Sequence, residues 1–322
     1  MHEVSLLDSA ALPCEEQLRR IEKIRRELGP VILDLLSDPT VIEIMVNADH
    51  RLWVERLGEP MTPVGVIQAT RVETLIYSVA AYHRTVIHED KPVIECELPG
   101  YGARFEGMIP PVVEQALFTI RCRASRVFTL QEYEAAGILK PSDKTRIEAA
   151  IEARQNILVV GGTGSGKTTF LNALVAEIVR CHPDHRLVIL EDTAEIQCSA
   201  QNAVMLHTTE QMDLLKLLKA TLRLRPDRIL VGEVRGSEAL ALLKAWNTGH
   251  PGGVATIHAN DAEAGLIRME QLIAEATSSP MQSLIGEAVD LIIFINKTRT
   301  GRVIQNIKTV QGYHRDHGYL VS

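Results

Sequence analysis

The sequence predicts an α/β domain preceded by a smaller α+β domain. From about residue 145, short apolar runs alternate with helical stretches, as expected of buried parallel strands joined by helices. Over residues 1–125, amphipathic and alternating segments predict a mixed unit instead. The 322 residues, of which 46% are hydrophobic, suffice for two cores. We therefore expect domains at 1–125 and 145–322, joined by a polar linker over 126–144 that has some local structure.

The first domain is predicted to begin with a charged amphipathic helix over residues 15–28, which Gly29 and Pro30 end. Alternation around a polar turn predicts a hairpin over residues 41–56, and "RVETLIYSVAAYHR" predicts a second helix. The segments "VIECEL", "GARFEGMI" and "ALFTIRCR" follow as strands separated by turns that contain Pro and Gly.

The second domain is predicted to start with the helix "DKTRIEAAIEA". Apolar "NILVVGG", a glycine-rich loop and the helix "TTFLNALVAEIVR" follow it. The apolar runs "RLVILED", "RILVGE" and "GVATIHA" predict further buried strands. The tail alternates as antiparallel strands do.

Composition disfavours several classes of protein. A net charge of −7, a pI near 5.9 and only 4% aromatic residues argue against a protein that coats nucleic acid. The five cysteines are scattered and never spaced as CxxC, so we expect reduced thiols. No apolar run approaches the ~20 residues that span a bilayer, and the start of the chain lacks the pattern of a secretory signal. We expect a soluble protein that meets a membrane only through partners.

Residues 161–168, "GGTGSGKT", match the GxxxxGK[ST] pattern, with an apolar run before them and a helical stretch after. Glycines let successive N–H groups face one anion, and the following helix adds its positive end. Lys167 is predicted to contact the β- and γ-phosphates, and the Thr168 hydroxyl to bind Mg²⁺. A plain glycine-rich turn is the alternative. The predicted nucleotide-binding residues are Gly162, Thr163, Gly164, Ser165, Gly166, Lys167, Thr168 and Thr169. No guanine-reading NKxD motif follows the loop, which favours ATP.

Acidic residues follow two of the predicted strands. Hydrolysis requires a carboxylate near Mg²⁺ and a group that orients the attacking water. Glu191 and Asp192 end one strand with Glu195 beyond them, while Glu233 ends another and Arg235 follows. Ligands of open α/β sheets bind at these strand ends. The alternative is that these acids cap following helices, and for Asp192 and Glu195 the two interpretations are equally favoured.

Four segments together resemble the signature boxes of the secretion-ATPase superfamily, which powers type II secretion, type IV secretion and type IV pili. They are "GGTGSGKTT", "LVILEDTAE", "LRLRPDRILVGEVRG" and "TGHPGGVATIHAND". The resemblance extends through "GARFEGMIPP" and "FTIRCRA", and so covers most of the chain from about residue 35. The short first domain and the absence of a four-cysteine zinc module favour the conjugative-transfer branch.

The resemblance implies a hexameric ring of two-domain subunits, with ATP between the N-terminal domain and a RecA-like domain. Glu191 matches the acid thought to polarise the attacking water, and Glu233 matches the Walker B acid near Mg²⁺. We expect Thr168 and Glu233 to be the metal-binding residues.

Arg104 and Arg121 match arginines of the N-terminal domain that reach the nucleotide phosphates. A planar guanidinium can meet two equatorial oxygens of a phosphoryl transition state. The alternative is that both are ordinary surface residues. Cys122 stands where many relatives have Lys, which removes a positive charge and leaves Arg123 as a possible replacement. The roles of three further arginines stay open: Arg223, Arg225 and Arg235.

His250 and His258 match the histidine box of the superfamily. A zinc site is disfavoured because no third and fourth ligand occur at typical spacing. His258 falls at the end of the strand "GVATI", on the predicted edge of the phosphate loop, where it can contact the γ-phosphate, its water or Glu233. His250 follows a probable helix end and would suit a subunit interface. Satisfied loop histidines are the alternative for both.

The leading prediction is an ATP-hydrolysing motor of a conjugative type IV secretion apparatus, acting in pilus assembly or substrate export. Its cofactors would be ATP and Mg²⁺. Its partners would be five further copies of the chain and other components of a membrane-embedded complex, at the cytoplasmic face of a bacterial inner membrane, with no sequence-specific nucleic-acid binding. The alternatives are a type IV pilus or type II secretion motor, a nucleic-acid translocase, and a slow nucleotide-gated scaffold.

Overall fold

A computed structural model describes residues 15–56, 59–122, 126–209, 211–298 and 301–322. The chain divides into two compact units, Met1–Ser125 and Arg126–Ser322. Within the described residues, no helix is long and apolar enough to cross a membrane.

The first unit is a six-stranded antiparallel sheet with two helices. The elements in chain order are α1 (Glu15–Ser37), β1 (Val41–Val46), β2 (Arg51–Arg56), β3 (Thr62–Val66), α2 (Ala69–Tyr82), β4 (Val93–Leu98), β5 (Ala103–Met108) and β6 (Leu117–Arg121). The strands lie in the order β3-β2-β1-β6-β5-β4. Apolar residues of both helices share one core with the inward-facing residues of the strands, such as Phe105 and Ile120. The opposite face of the sheet carries charged side chains such as Arg104 and Arg121 together with apolar ones such as Trp53 and Met108.

The predicted hairpin, second helix and three strands of this unit are all confirmed. The first helix kinks where its end was predicted, because Gly29 has φ +72° and Pro30 cannot continue the hydrogen-bond ladder. A further helical segment then runs on to Ser37. Strand β3 was not predicted; its five residues are exposed, and Pro63 is tolerated because β3 is an edge strand.

The second unit is an eight-stranded sheet with helices on both faces. Its elements are α3 (Leu130–Ala135), α4 (Pro141–Glu152), β7 (Ile157–Val160), α5 (Lys167–Cys181), β8 (Leu187–Glu191), β9 (Ala203–His207), α6 (Leu214–Thr221), β10 (Arg228–Val231), α7 (Glu238–Asn247), β11 (Val254–Ile257), α8 (Ala262–Ala274), α9 (Gln282–Ala288), β12 (Leu291–Thr298), β13 (Gly301–His314) and β14 (Gly318–Val321). The strand order is β14-β13-β12-β7-β11-β10-β8-β9.

The six strands from β12 to β9 are parallel, whereas β13 and β14 are antiparallel to their neighbours. Successive residues of the central strands face opposite cores: Val159 packs with α5 on one side, and Val160 packs with α8 on the other. This explains why the strands read as continuous apolar runs.

Residues 126–144 differ from the predicted linker. They contain α3 and the first turn of α4, and they belong to the second unit. Leu130, Tyr133 and Leu139 are buried in the core that contains Phe170. The polar composition of the segment concealed these three apolar anchors.

Candidate active site

The phosphate loop connects β7 to α5 at the carboxyl edge of the parallel strands. Gly164 (φ +66°) and Gly166 (φ +95°) adopt left-handed conformations that other residues rarely accept. Gly166 is the N-cap of α5, so Lys167, Thr168 and Thr169 form the first helical turn. The unpaired N–H groups and positive end of this helix point to where an anion would bind. The predicted loop residues are therefore arranged as a phosphate cradle.

Lys167 is buried within this cradle, with 7% of its surface exposed. Its Nζ donates to the carbonyl oxygens of Gly161 (3.0 Å) and Gly162 (3.1 Å) and lies 3.2 Å from Nδ1 of His258. Burial lowers the pKa of the ammonium to about 8, against the opposing effect of the Glu233 carboxylate. A phosphate group would supply the counter-charge that the loop carbonyls provide only in part.

His258 bridges Lys167 and Glu233. Its Nε2 lies 2.6 Å from Oε1 of Glu233. Burial, followed by the charge of Lys167, lowers the pKa of His258, and the imidazole is neutral at pH 7. A neutral ring can accept from Lys167 through Nδ1, and its Nε2 lies close to Glu233, although Oε1 of Glu233 makes no hydrogen bond within the described residues. His258 therefore lies between the two charged groups.

Arg235 extends this chain of contacts. Its Nη2 lies 2.6 Å from Oε2 of Glu233, and its Nη1 lies 3.3 Å from Oδ2 of Asp192. Asp192 also accepts a hydrogen bond from the Thr208 hydroxyl at 3.2 Å. The helix after β10 begins at Glu238 with Ser237 as its N-cap, so Glu233 is not the N-cap of this helix.

Glu191 is the last residue of β8, the strand next to β10, and 3% of its surface is exposed. Its Oε1 accepts from the backbone N–H groups of Glu195 (3.0 Å) and Ile196 (2.7 Å), and its Oε2 lies 3.7 Å from Nε2 of His207. A Cβ on Gly232 would lie 3.3 Å from Cγ of Glu191, so the glycine before Glu233 leaves room for this side chain. Asp192 and Glu195 do not cap a helix, since the next one begins at Leu214 with Asp213 as its N-cap.

Arg104 and Arg121 form a pair in the first unit. They lie directly opposite each other on β5 and β6. Arg104 forms an ion pair with Glu95, and Nε of Arg121 lies 3.4 Å from Oε1 of Glu43. Like charges directly opposite each other on a sheet are destabilising. The flanking carboxylates offset the repulsion between these two guanidinium groups.

The pair belongs to a row of charged residues that crosses five neighbouring strands. The register places them in the order Glu97, Arg104, Arg121, Glu43 and Glu55. Cys122 follows the row, and burial raises the pKa of its thiol to about 11. A neutral thiol adds no positive charge beside the two arginines.

Lys167, His258 and Glu233 are in direct contact, Glu191 ends the neighbouring strand, and Arg104 lies opposite Arg121 in the other unit. His250 is separated from His258: it precedes β11, and its Nδ1 lies 3.1 Å from the Pro226 carbonyl oxygen at the opposite edge of the sheet. The exposed Arg223 and Arg225 precede β10, and so lie towards that same opposite edge.

A cavity of about 410 Å³ opens beside the phosphate loop, lined by Gly162, Thr163, His258, Asn260, Ile267 and Arg268. The sequence did not predict that α8 lines this cavity. It also did not predict Arg302, which packs against the loop although it is 138 positions beyond Gly164. No motif marks either feature; only the positions of α8 and of the β12–β13 hairpin reveal them.

No group of three or more His, Cys, Asp or Glu in the described ranges forms a metal-binding cluster. Mg²⁺ does not need one, because it is held by one or two protein oxygens together with phosphate and water. The Thr168 hydroxyl and the Glu233 carboxylate are hard oxygen donors of the kind that Mg²⁺ prefers. The donor chemistry therefore fits the predicted ion.

Comparison with known proteins identifies the family. Residues 25–306 match the family model described as "Type II/IV secretion system protein". The chain belongs to this family. It is 51% identical over 299 residues to "Conjugal transfer protein TrbB" of Rhizobium radiobacter, covering 93% of each chain. It is 29% identical over 310 residues to "Type IV secretion system protein VirB11" of Bartonella henselae, covering 81% of this chain and 86% of that protein. Within the secretion family, the chain is an ATPase.

The solved structures support the fold. The X-ray structure of the Legionella pneumophila ATPase DotB matches with a TM-score of 0.61 and 19% identity, covering 85% of this chain and 79% of that one. The predicted fold, a RecA-like α/β domain preceded by a smaller α+β domain, is confirmed.

Proposed function

We propose that this chain is the hexameric, ATP-hydrolysing motor of a conjugative type IV secretion apparatus. The contact chain from Lys167 through His258 to Glu233, beside the buried Glu191, carries the catalytic part of the proposal. The 51% identity to a conjugal transfer protein over 93% of both chains supports conjugation over type II secretion or pilus retraction.

The phosphate loop would hold the triphosphate through its N–H groups and Lys167. Thr168 and Glu233 would hold Mg²⁺, which supplies positive charge to the phosphate oxygens when bound. Glu191 would take a proton from the attacking water, since the two backbone N–H groups on Oε1 fix its carboxylate in one orientation.

His258 would report the γ-phosphate. A γ-phosphate that draws Lys167 away would remove the donor from Nδ1, while Nε2 remains within hydrogen-bonding distance of Glu233. The freed Nδ1, which bears no proton in this tautomer, could then accept a hydrogen bond from the attacking water, and hydrolysis would restore the contacts described above. Arg104 and Arg121 would reach the phosphates from the N-terminal domain and make turnover depend on closure of the assembled ring.

The partners proposed are five further copies of the chain and components of a membrane-embedded conjugation complex. The motor would work at the cytoplasmic face of the inner membrane, held there by those components. The formal charge of −7 supports a motor that acts on protein partners rather than one that grips a nucleic-acid backbone.

Four variants of the full chain test the catalytic part. Glu233→Gln, Glu191→Gln and His258→Ala should bind ATP within about threefold of wild type but release phosphate at least about 100-fold (Gln variants) or tenfold (His258→Ala) more slowly. Lys167→Ala should lose ATP affinity itself. Binding is measured by titration with a fluorescent ATP analogue, and turnover by phosphate release.

Glu152→Gln, an exposed carboxylate on α4, is the matched control and should leave both quantities unchanged. Persistent turnover in both Gln variants would refute the catalytic assignment.

The same variants in donor cells test the conjugation part: Glu233→Gln should abolish DNA transfer, and transfer at the wild-type frequency would refute that part alone.

A further inference from the structure

We propose that Arg302 is a positioning residue of the phosphate loop, and that it raises the affinity for nucleoside di- and triphosphates equally. The inference rests on the proposed nucleotide site but assigns a role to a residue outside every motif of that site. Arg302 lies at the start of β13, beside β12, in a hairpin that flanks the loop.

The hairpin approaches the loop at two places. A Cβ on Gly161 would lie 2.5 Å from the Ile295 carbonyl oxygen of β12. A Cβ on Gly166 would lie 2.9 Å from Cδ and 3.0 Å from Nε of Arg302. The Arg302 side chain therefore covers the left-handed Gly166, which forms the N-cap of α5.

The guanidinium orients one peptide unit of the loop. Nη2 of Arg302 donates to the Gly164 carbonyl oxygen at 3.5 Å. In a planar trans peptide, the C=O and the following N–H point in opposite directions. A Gly164 carbonyl held towards Arg302 therefore directs the Ser165 N–H into the loop, where it lies 3.4 Å from the Gly162 carbonyl oxygen. In the structure that N–H donates to the Gly162 carbonyl oxygen, and a bound phosphate would take the place of this acceptor.

The guanidinium of Arg302 also has an N–H donor that makes no hydrogen bond within the described residues. This donor is Nε, which is buried. A buried donor without a partner is costly, so its persistence beside an anion site calls for an explanation. A cation at the loop attracts the phosphates of any bound nucleotide.

Arg302 and His258 contact different residues of the site, so we expect them to have different roles. Arg302 contacts Gly164 and Gly166, whereas His258 contacts Lys167 and Glu233. A residue that orders the loop acts on the phosphates that ADP and ATP share. Its loss should therefore weaken both nucleotides by the same factor and leave kcat unchanged once the site is saturated.

The test is equilibrium titration of the full chain with ADP and with a non-hydrolysable ATP analogue, beside the steady-state rate of phosphate release. Arg302→Ala should lower both affinities about tenfold, with kcat within twofold of wild type. Arg302→Gln keeps a donor without the charge, and Arg302→Lys keeps the charge without the planar fork, so each should recover part of the loss. Arg315→Ala, an exposed arginine in the turn after β13, should leave both affinities unchanged.

Unchanged affinities in Arg302→Ala would overturn the inference, as would a loss confined to ATP. A lower melting temperature with wild-type affinities would assign Arg302 to the hairpin alone and also overturn it. Failure of the proposed function looks different: wild-type protein would then bind neither nucleotide, or Lys167→Ala would bind both as well as wild type does.

Discussion

At the scale of single residues, Lys167 shows how burial prepares a side chain for its ligand. The ammonium of Lys167 contacts the carbonyl oxygens of Gly161 and Gly162 and the imidazole of His258. Burial lowers its pKa to about 8. A phosphate is a better partner than any of these and would restore the preference for the charged form. Binding therefore takes up a proton above about pH 8.

We predict a pH dependence of nucleotide affinity from this pKa. Only the protonated Lys167 attracts phosphate, so affinity for ADP should be highest below pH 8 and should fall as the pH rises. Between pH 7 and pH 9 the loss should be about tenfold, which corresponds to one pH unit beyond the pKa. Titration calorimetry at the two pH values measures it.

Lys167→Arg is the control for this prediction, because a guanidinium keeps its charge throughout the range. Its ADP affinity should be nearly the same at pH 7 and pH 9. An equally flat profile in wild type would show that Lys167 stays protonated in the free protein.

The sequence predicts the positions of site residues best where a strand ends. Glu191, Glu233 and His258 each follow a buried apolar run, and parallel strands bring their carboxyl ends to one edge. His250 shows the limit of this reasoning: eight residues separate it from His258, but a parallel strand lies between them and places the two at opposite edges. Arg302 could not be predicted, since its place depends on the path of a hairpin.

At the scale of elements, α8 illustrates a close approach that only glycine permits. A Cβ on Gly265 would lie 2.7 Å from Cγ2 of Val160, the last residue of β7 before the phosphate loop. Ala is normally the better helix former by about 1 kcal/mol. Here we expect the steric cost to exceed that gain, because a packed core yields little.

We predict that Gly265→Ala destabilises the second unit by about 1–3 kcal/mol. The chain has two tryptophans, and in a Trp53→Phe background the fluorescence of the buried Trp246 reports on this unit alone. Urea unfolding followed by that signal measures the change. Gly162→Ala, in the same unit and with nothing within 4 Å of the added Cβ, is the matched control and should have little effect on stability.

A double-mutant cycle identifies the cause. Val160→Ala removes the group in the way, so Gly265→Ala should cost less in that background than alone. Equal costs in the two backgrounds would show that Val160 is not responsible.

Helices and strands were predicted correctly where the hydrophobic pattern was uniform. They were missed where charged residues or a proline interrupted that pattern. Continuous apolar runs predicted β7, β8, β10 and β11, because parallel strands are buried on both faces. The segment over 126–144 read as a linker because its charged residues outnumber the three apolar side chains that anchor it. Proline concealed β3, since the residue is acceptable there only at an edge that the sequence does not reveal.

At the scale of the whole molecule, each unit presents cationic groups that suit an anionic nucleotide. The second unit presents a phosphate loop with one buried lysine, and the first presents two adjacent arginines on an open sheet face. Neither arrangement alone supplies both a bound triphosphate and guanidinium groups for the transition state. We therefore expect hydrolysis to require both units and, in the proposed ring, assembly.

We expect arginines of the first unit to contribute to ATP hydrolysis at the phosphate loop of the second unit. The most direct test is the rate of phosphate release by Arg121→Ala, measured on protein whose assembly has been verified by sedimentation. Arg51→Ala, an exposed arginine on β2 of the same sheet, is the control and should turn over as wild type does. We predict that Arg121→Ala assembles normally, binds ATP and turns over at least about tenfold more slowly. Wild-type turnover by Arg121→Ala in an intact assembly would contradict the claim.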